Sequence, residues 1–113
     1  MSYEIVLCDS FKKAVKQLDK HYPHVKDDMK EIINSIQSNP EQGDVIPGGK
    51  GVRKVRVKNS DLRRGKSGSY RVVYYVIGQP KQEIYMLLVY EKSSKEDVKK
   101  KELTGLLKAA GLL

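Results

Sequence analysis

Lys54, Arg56 and Lys58 alternate with Val55 and Val57 in the segment RKVRVK. On an extended chain, successive side chains point to opposite faces. The valines then bury against a neighbouring layer, and the cations stand in a row on the other face, ~6–7 Å apart. Such a row is costly unless solvent or an anion screens it, and like charges this close disfavour one another's protonation. Its chemistry is that of phosphate. A guanidinium forks onto phosphate oxygens, an ammonium adds a point charge, and a lysine crowded by cations is a candidate general base. Arg71 opens a later apolar run, YRVVYYVI, and Lys92 follows a third, EIYMLLVY; if the three segments pair as a meander, both reach the same row.

The surrounding window, residues 50–71, holds nine Lys or Arg and one acid, Asp61, whereas the rest of the chain has 13 residues of each sign. The net charge of +8 therefore sits in one place, and all five arginines (Arg53, Arg56, Arg63, Arg64 and Arg71) are there. A patch of this density predicts an anionic partner, most often nucleic acid. Tyr70, Tyr74, Tyr75, Tyr85 and Tyr90 interleave with the basic residues, and aromatics near cations on an open sheet face offer stacking platforms for unstacked bases. The competing reading is a solvated edge strand, where lysines guard against aggregation, with the tyrosines as packing. His21 and His24, the only histidines, fall together at a helix break, where exposed polar residues are expected. No His, Cys, Asp or Glu cluster has metal-ligand spacing, so neither metal nor small-molecule cofactor is expected.

These residues need a scaffold. The 113 residues suit one domain, 1–113, whose lean 39% hydrophobic content still builds a small core. Tyr3–Cys8 reads as a short strand. Phe11, Ala14, Val15 and Leu18 give a helix from about Ser10 to Lys20. A second helix begins near Pro23, carries Val25, Met29, Ile32, Ile33 and Ile36, and ends before Asn39-Pro40. Strands follow over Val52–Lys58, Tyr70–Ile77 and Glu83–Tyr90. A capping box, Ser93 with Glu96 or Ser94 with Asp97, opens a last helix bearing Val98, Leu103, Leu106, Leu107 and Ala110. The order β-α-α-β-β-β-α predicts an α+β fold of two layers: an antiparallel meander, the first strand added at an edge, and helices on one face. No apolar run approaches the ~20 residues of a membrane span. The start lacks a signal-peptide pattern, and the single Cys8 reads as a small buried hydrophobe, so a reducing cytoplasm is the expected compartment.

GDVIPGGKGVRKVRVK, then GKSGSYRVVYYVI, then IYMLLVYEKSSKEDV resembles the RelE/HigB group of bacterial toxins from type II toxin–antitoxin modules, over most of the chain and most strongly over 43–98. The resemblance implies a small α+β fold with a basic concave face. It implies an mRNA interferase that cuts the codon exposed in the ribosomal A site without a metal. By position it implies Lys54 and Arg56 as the second-strand pair, Lys58 as its extension, Arg71 as the third-strand arginine and Lys92 as the final basic residue. Val98 stands where several relatives have a tyrosine, leaving Tyr90 as the nearby substitute. In this reading Arg56 and Arg71 hold the phosphate, Lys54 is the general base, and Lys92 or Tyr90 assists the leaving group. Lys50, Arg53, Lys58, Arg63, Arg64, Lys66 and Tyr70 grip RNA or the ribosome. The implied partners are mRNA, the ribosome and an antitoxin protein. The alternatives are a ParE-like poison of DNA gyrase and a catalytically silent RNA- or partner-binding relative.

Overall fold

A computed structural model of the protein describes residues 2–62, 68–95 and 97–113. The elements, in chain order, are β1 (Glu4–Leu7), α1 (Asp9–Asp19), α2 (Val25–Ser38), β2 (Asp44–Val45), β3 (Arg53–Lys58), β4 (Ser69–Ile77), β5 (Glu83–Glu91) and α3 (Lys100–Ala109). The expected α+β class and element order hold, with the two-residue β2 added. The sheet runs β1-β5-β4-β3-β2. The meander β3-β4-β5 is antiparallel, and β1 joins its edge parallel to β5. The sheet is therefore mixed rather than antiparallel throughout.

Each face of the sheet carries its own apolar cluster. α1 and α2 lay Phe11, Val25, Met29 and Ile36 on a face built from Tyr70, Val72, Tyr74, Ile84, Met86 and Val89, with Val55 and Val57 packed at its margin. This is the helical hairpin over one face that the apolar spacing implies. α3 goes elsewhere. Its Leu103 and Leu107 join Val73, Leu87, Tyr90 and Val98 in a second cluster, so the helices divide between the faces. β4 and β5 are covered on both sides, which is why they read as near-continuous apolar runs. α3 also starts at Lys100, with Lys99 as its cap residue, later than the expected capping box. Ser94 instead closes a turn onto Glu91, its Oγ donating to the Glu91 carbonyl at 2.8 Å. Glu96 lies outside the described residues.

Two local features fix which side chains face the second cluster. The first is a bulge. Val73 pairs with Leu88 but Tyr74 pairs with Met86, so Leu87 has no cross-strand partner. A bulge of this kind shifts the alternation by one residue and bends the strand. Ile84 and Met86 face the hairpin before it; Val89 faces the hairpin after it, which turns Tyr90 to the other side. Ser10 Oγ donates to the Leu87 carbonyl at 2.6 Å and ties the bulge to α1. The second is the approach of residues 40–43 to β4. Tyr74 Oη donates to the Pro40 carbonyl at 2.8 Å and accepts the Gly43 N–H at 2.9 Å. A Cβ on Gly43 would stand 2.9 Å from the Lys54 carbonyl oxygen, so only glycine lets the backbone pass there.

Candidate active site

Antiparallel register puts paired residues on the same face. Arg56 pairs with Arg71, and Arg71 with Tyr90, so the three side chains stand in one line across β3, β4 and β5. The next line belongs to Lys58, paired with Ser69, and to Lys92, whose N–H donates to the Ser69 carbonyl at 3.0 Å. Arg56, Lys58, Ser69, Lys92 and the backbone at Gly68 line a cavity of about 300 Å³. It opens on the α3 side of the sheet, past the end of the second apolar cluster. The previous line, Lys54 with Val73, lies nearer that cluster.

The line is a cationic surface, with Asp28 and Glu31 of α2 sharing a neighbouring pocket with Arg56 and Lys58 at the edge of β3. Among the described residues, no carboxylate forms an ion pair with Arg56, Lys58, Arg71 or Lys92. Arg71 Nη1 donates to Ser69 Oγ at 3.2 Å, which leans the guanidinium towards the cavity. Glu91, the acid next in sequence to Tyr90, falls on the opposite face, where its carboxylate accepts from Tyr22 Oη at 2.5 Å. That bond is the main reason the Tyr22 phenol is pushed up. Lys54 differs from the rest: its Nζ lies 3.0 Å from Asp97 Oδ1, with the lysine side chain 29% exposed. Asp97 comes from the segment before α3, and it breaks the expectation of an all-cation row.

Tyr90 is 7% exposed, with Lys95 Nζ 5.2 Å from its ring centroid. Its hydroxyl is buried without a hydrogen-bond partner among the described residues. Leaving such a group unpaired costs roughly 1–3 kcal/mol, and Tyr70 Oη on the hairpin face is unpaired in the same way. Burial first, then the Asp97 charge, push the phenol up, so it keeps its proton and is a donor. A donor phenol, two guanidiniums and two ammoniums on one small area can bind a phosphodiester, hold charge developing on it and supply a proton.

Residues 9–113 match the family described as RelE toxin of RelE / RelB toxin-antitoxin system. The chain belongs to the RelE toxin family. It is thus a toxin of the toxin–antitoxin class, and an antitoxin is its partner.

Within this RelE toxin, the line gathers Arg56, Lys58, Arg71, Tyr90 and Lys92, with Lys54 alongside. Other expectations fail on geometry. Tyr70 is fully buried on the hairpin face, edge-on to Tyr22 and with its pKa raised by desolvation, so its ring is closed to RNA. Tyr74 is likewise buried, and Tyr75 and Tyr85 pack beside the second cluster. Arg53 pairs with Tyr74 and so faces the hairpin side. Its Nη1 donates to the Gly43 and Glu41 carbonyls at 2.7 and 3.2 Å, a clasp on the loop rather than a grip on a substrate. Lys50, by contrast, is exposed at the β2–β3 turn with φ 58°, outside the line but accessible to a polyanion. Arg63, Arg64 and Lys66 lie outside the described residues. Ser69 and Asp97 were missed; Ser69 was legible, since two residues before Arg71 on one strand means the same face. Among the described residues there is no three-residue His, Cys, Asp or Glu group suited to a metal, and no helix is long and apolar enough to cross a membrane.

Ser60 and Asp61, beyond the end of β3, are pinned. Ser60 N–H donates to Asp28 Oδ2 at 3.0 Å, and Asp61 takes the His24 N–H at 2.9 Å and pairs with His24 Nδ1 at 2.6 Å. The Asp61 hydrogen bond raises His24, and the His24 hydrogen bond lowers Asp61. A raised His contributes stability that is present below its unfolded value and lost as pH rises through the folded one. A lowered Asp contributes above its unfolded value and loses it in acid. The tether is therefore strongest in mild acid and loosens above neutrality. Amide protection factors at Ser60 and Asp61 should be higher at about pH 5.5 than at about pH 8.5, and His24→Gln should flatten the difference. Equal protection at both pH values would remove the tether from this account.

Proposed function

We propose that this chain is a ribosome-dependent mRNA endoribonuclease acting in the cytoplasm. The observation that carries the reading is the line Arg56–Arg71–Tyr90, flanked by Lys58 and Lys92 and without an ion-paired carboxylate among the described residues, in a RelE-family toxin. In RNA, the 2′-oxygen attacks the adjacent phosphorus, the P–O5′ bond breaks, and a 2′,3′-cyclic phosphate forms. The 2′ proton must go to a base and the 5′-oxygen must receive one. Arg56 and Arg71 orient the phosphate and stabilise charge on its oxygens. Tyr90 or Lys92 donates to the 5′-oxygen. Lys54 takes the 2′ proton only as the free amine, so in this reading its pair with Asp97 opens and its ammonium first gives a proton to water. Lys58 extends the grip along the backbone, and Lys50 with Arg63, Arg64 and Lys66 add positive charge for ribosomal RNA. Guanidinium and ammonium groups do the neutralising that a metal ion does in other nucleases.

Purified chain, ribosomes and a programmed mRNA decide the matter. New 5′ ends should map within the A-site codon, persist in EDTA and be absent when ribosomes are omitted. Gyrase supercoiling run in parallel should be unaffected. Loss of supercoiling with intact mRNA would assign the chain to the gyrase-poisoning branch. Translation arrest without new ends would leave a binding module.

A further inference from the structure

The cavity beside the cationic line has a neutral side chain among its charged ones. Arg56, Lys58 and Lys92 put charge on its walls, Gly68 adds backbone, and Ser69 adds a hydroxyl. Asp28 and Glu31 border a different pocket, shared with Arg56 and Lys58, and not this one. Ser69 is tied on both sides. Its carbonyl accepts the Lys92 N–H at 3.0 Å, and its Oγ accepts from Arg71 Nη1 at 3.2 Å. A serine hydroxyl has two lone pairs and one proton. The bond from Arg71 uses a lone pair and leaves the proton to be donated. The other side chains of the cavity are donors throughout, and a site built of donors takes an anion rich in acceptors.

We propose that Ser69 is a positioning residue: it orients the Arg71 guanidinium and, with Lys58 and Lys92, seats the phosphate next to the scissile one. The inference rests on the cleavage reading above and deepens it. Two lines cross the sheet, Arg56–Arg71–Tyr90 and Lys58–Ser69–Lys92. On β3 and on β4 the two lines are two residues apart, so about 6–7 Å separates them. Neighbouring phosphates of one extended RNA strand are a comparable step apart. With the scissile phosphate on the first line, its neighbour falls on the second. The Ser69 hydroxyl donates to that neighbour and accepts from Arg71, so one hydroxyl joins the two sites. Filling the second site fixes the rotation of the hydroxyl and turns its lone pair to Arg71. Lys92 is then held at the neighbouring phosphate, which leaves Tyr90 as the donor to the 5′-oxygen. Ser69 touches no reacting atom and acts through Arg71.

The test is single-turnover cleavage by the full chain on programmed ribosomes, with two variants and a modified message. Ser69→Ala removes the hydroxyl, and Ser69→Thr keeps it on a side chain suited to a strand. Circular dichroism and Tm verify that both fold. Ser69→Ala should lower the saturated rate about 5–20-fold and leave the half-saturating ribosome concentration within about twofold of the parent. Ser69→Thr should recover most of the rate, a rescue that lost packing alone would not give. The modified message carries an uncharged methylphosphonate at one or the other linkage next to the cleaved one. One of these two substitutions should slow the parent by a similar factor and slow Ser69→Ala no further. A Ser69→Ala rate within about twofold of the parent overturns the proposal, as does a Ser69→Thr rate no higher than that of Ser69→Ala. The messages need no variant: a parent rate unchanged by both substitutions overturns the proposal as well. A parent chain that leaves mRNA intact overturns the cleavage reading and this inference with it. A parent that cleaves while Ser69→Ala matches it overturns this inference alone.

Discussion

Arg71→Ala is expected to lower the single-turnover rate of ribosome-bound mRNA cleavage by about 10²–10³-fold, and to abolish growth arrest, while the chain stays folded. Arg71 stands at the centre of the line, with Arg56 on one side and Tyr90 on the other. It is half-buried, and its side-chain bond among the described residues is the one to Ser69 Oγ. Losing the fork removes charge where the phosphorane forms and takes little from packing. Arg71→Lys keeps the charge and loses the bidentate geometry, so its rate should fall in between. A full cleavage rate in Arg71→Ala, at unchanged Tm, would dismiss the line as the reacting surface.

The second large effect falls on stability. Leu103→Ala should cost about 2–5 kcal/mol, which for a domain of this size lowers Tm by roughly 10–20 °C. Leu103 is 2% exposed and, with Leu107, is what fastens α3 to Val73 and Leu87. Leu106 and Ala110 pack at the margin of the cluster and Glu102 pairs with Lys95 at 2.8 Å, but Gly105 weakens the middle of the helix and no described side chain caps its start. Loosening it should also free the segment that carries Asp97 and Val98. Thermal denaturation gives the magnitude, and hydrogen exchange over 97–109 shows whether the loss is local. A Tm within about 2 °C of the parent would mean that α3 is held by something other than this contact.

Where the sequence was legible, a simple periodicity was intact. RKVRVK alternates cleanly, and Val55 and Val57 do pack, half-buried, against the hairpin cluster while Lys54, Arg56 and Lys58 turn away. The apolar spacing of α1 and α2 was equally plain. Arg53 misled because strand parity starts before the cationic run: it shares a face with Val55, not with Lys54. Tyr70 misled because a tyrosine beside Arg71 in sequence is across the sheet from it in space. α3 was placed too early because Ser93 and Ser94 make a plausible cap, and the turn they form onto Glu91 competes for the same residues. The Lys54–Asp97 pair is beyond any local pattern, since it joins residues 43 apart in sequence.

The bulge at Leu87 has a consequence for how relatives are compared. It works like a change of reading frame in a strand: upstream of it even-numbered residues of β5 belong to the hairpin, and downstream they belong to the cationic line. Tyr90 and Lys92 reach the site because of how many residues precede them, as much as because of what they are. A one-residue gap at 87–88 in an alignment is therefore no trivial length difference. It exchanges faces, sending Glu91 to the cations and Tyr90 to the core, and a relative carrying it would keep every site residue in its sequence and lose the site.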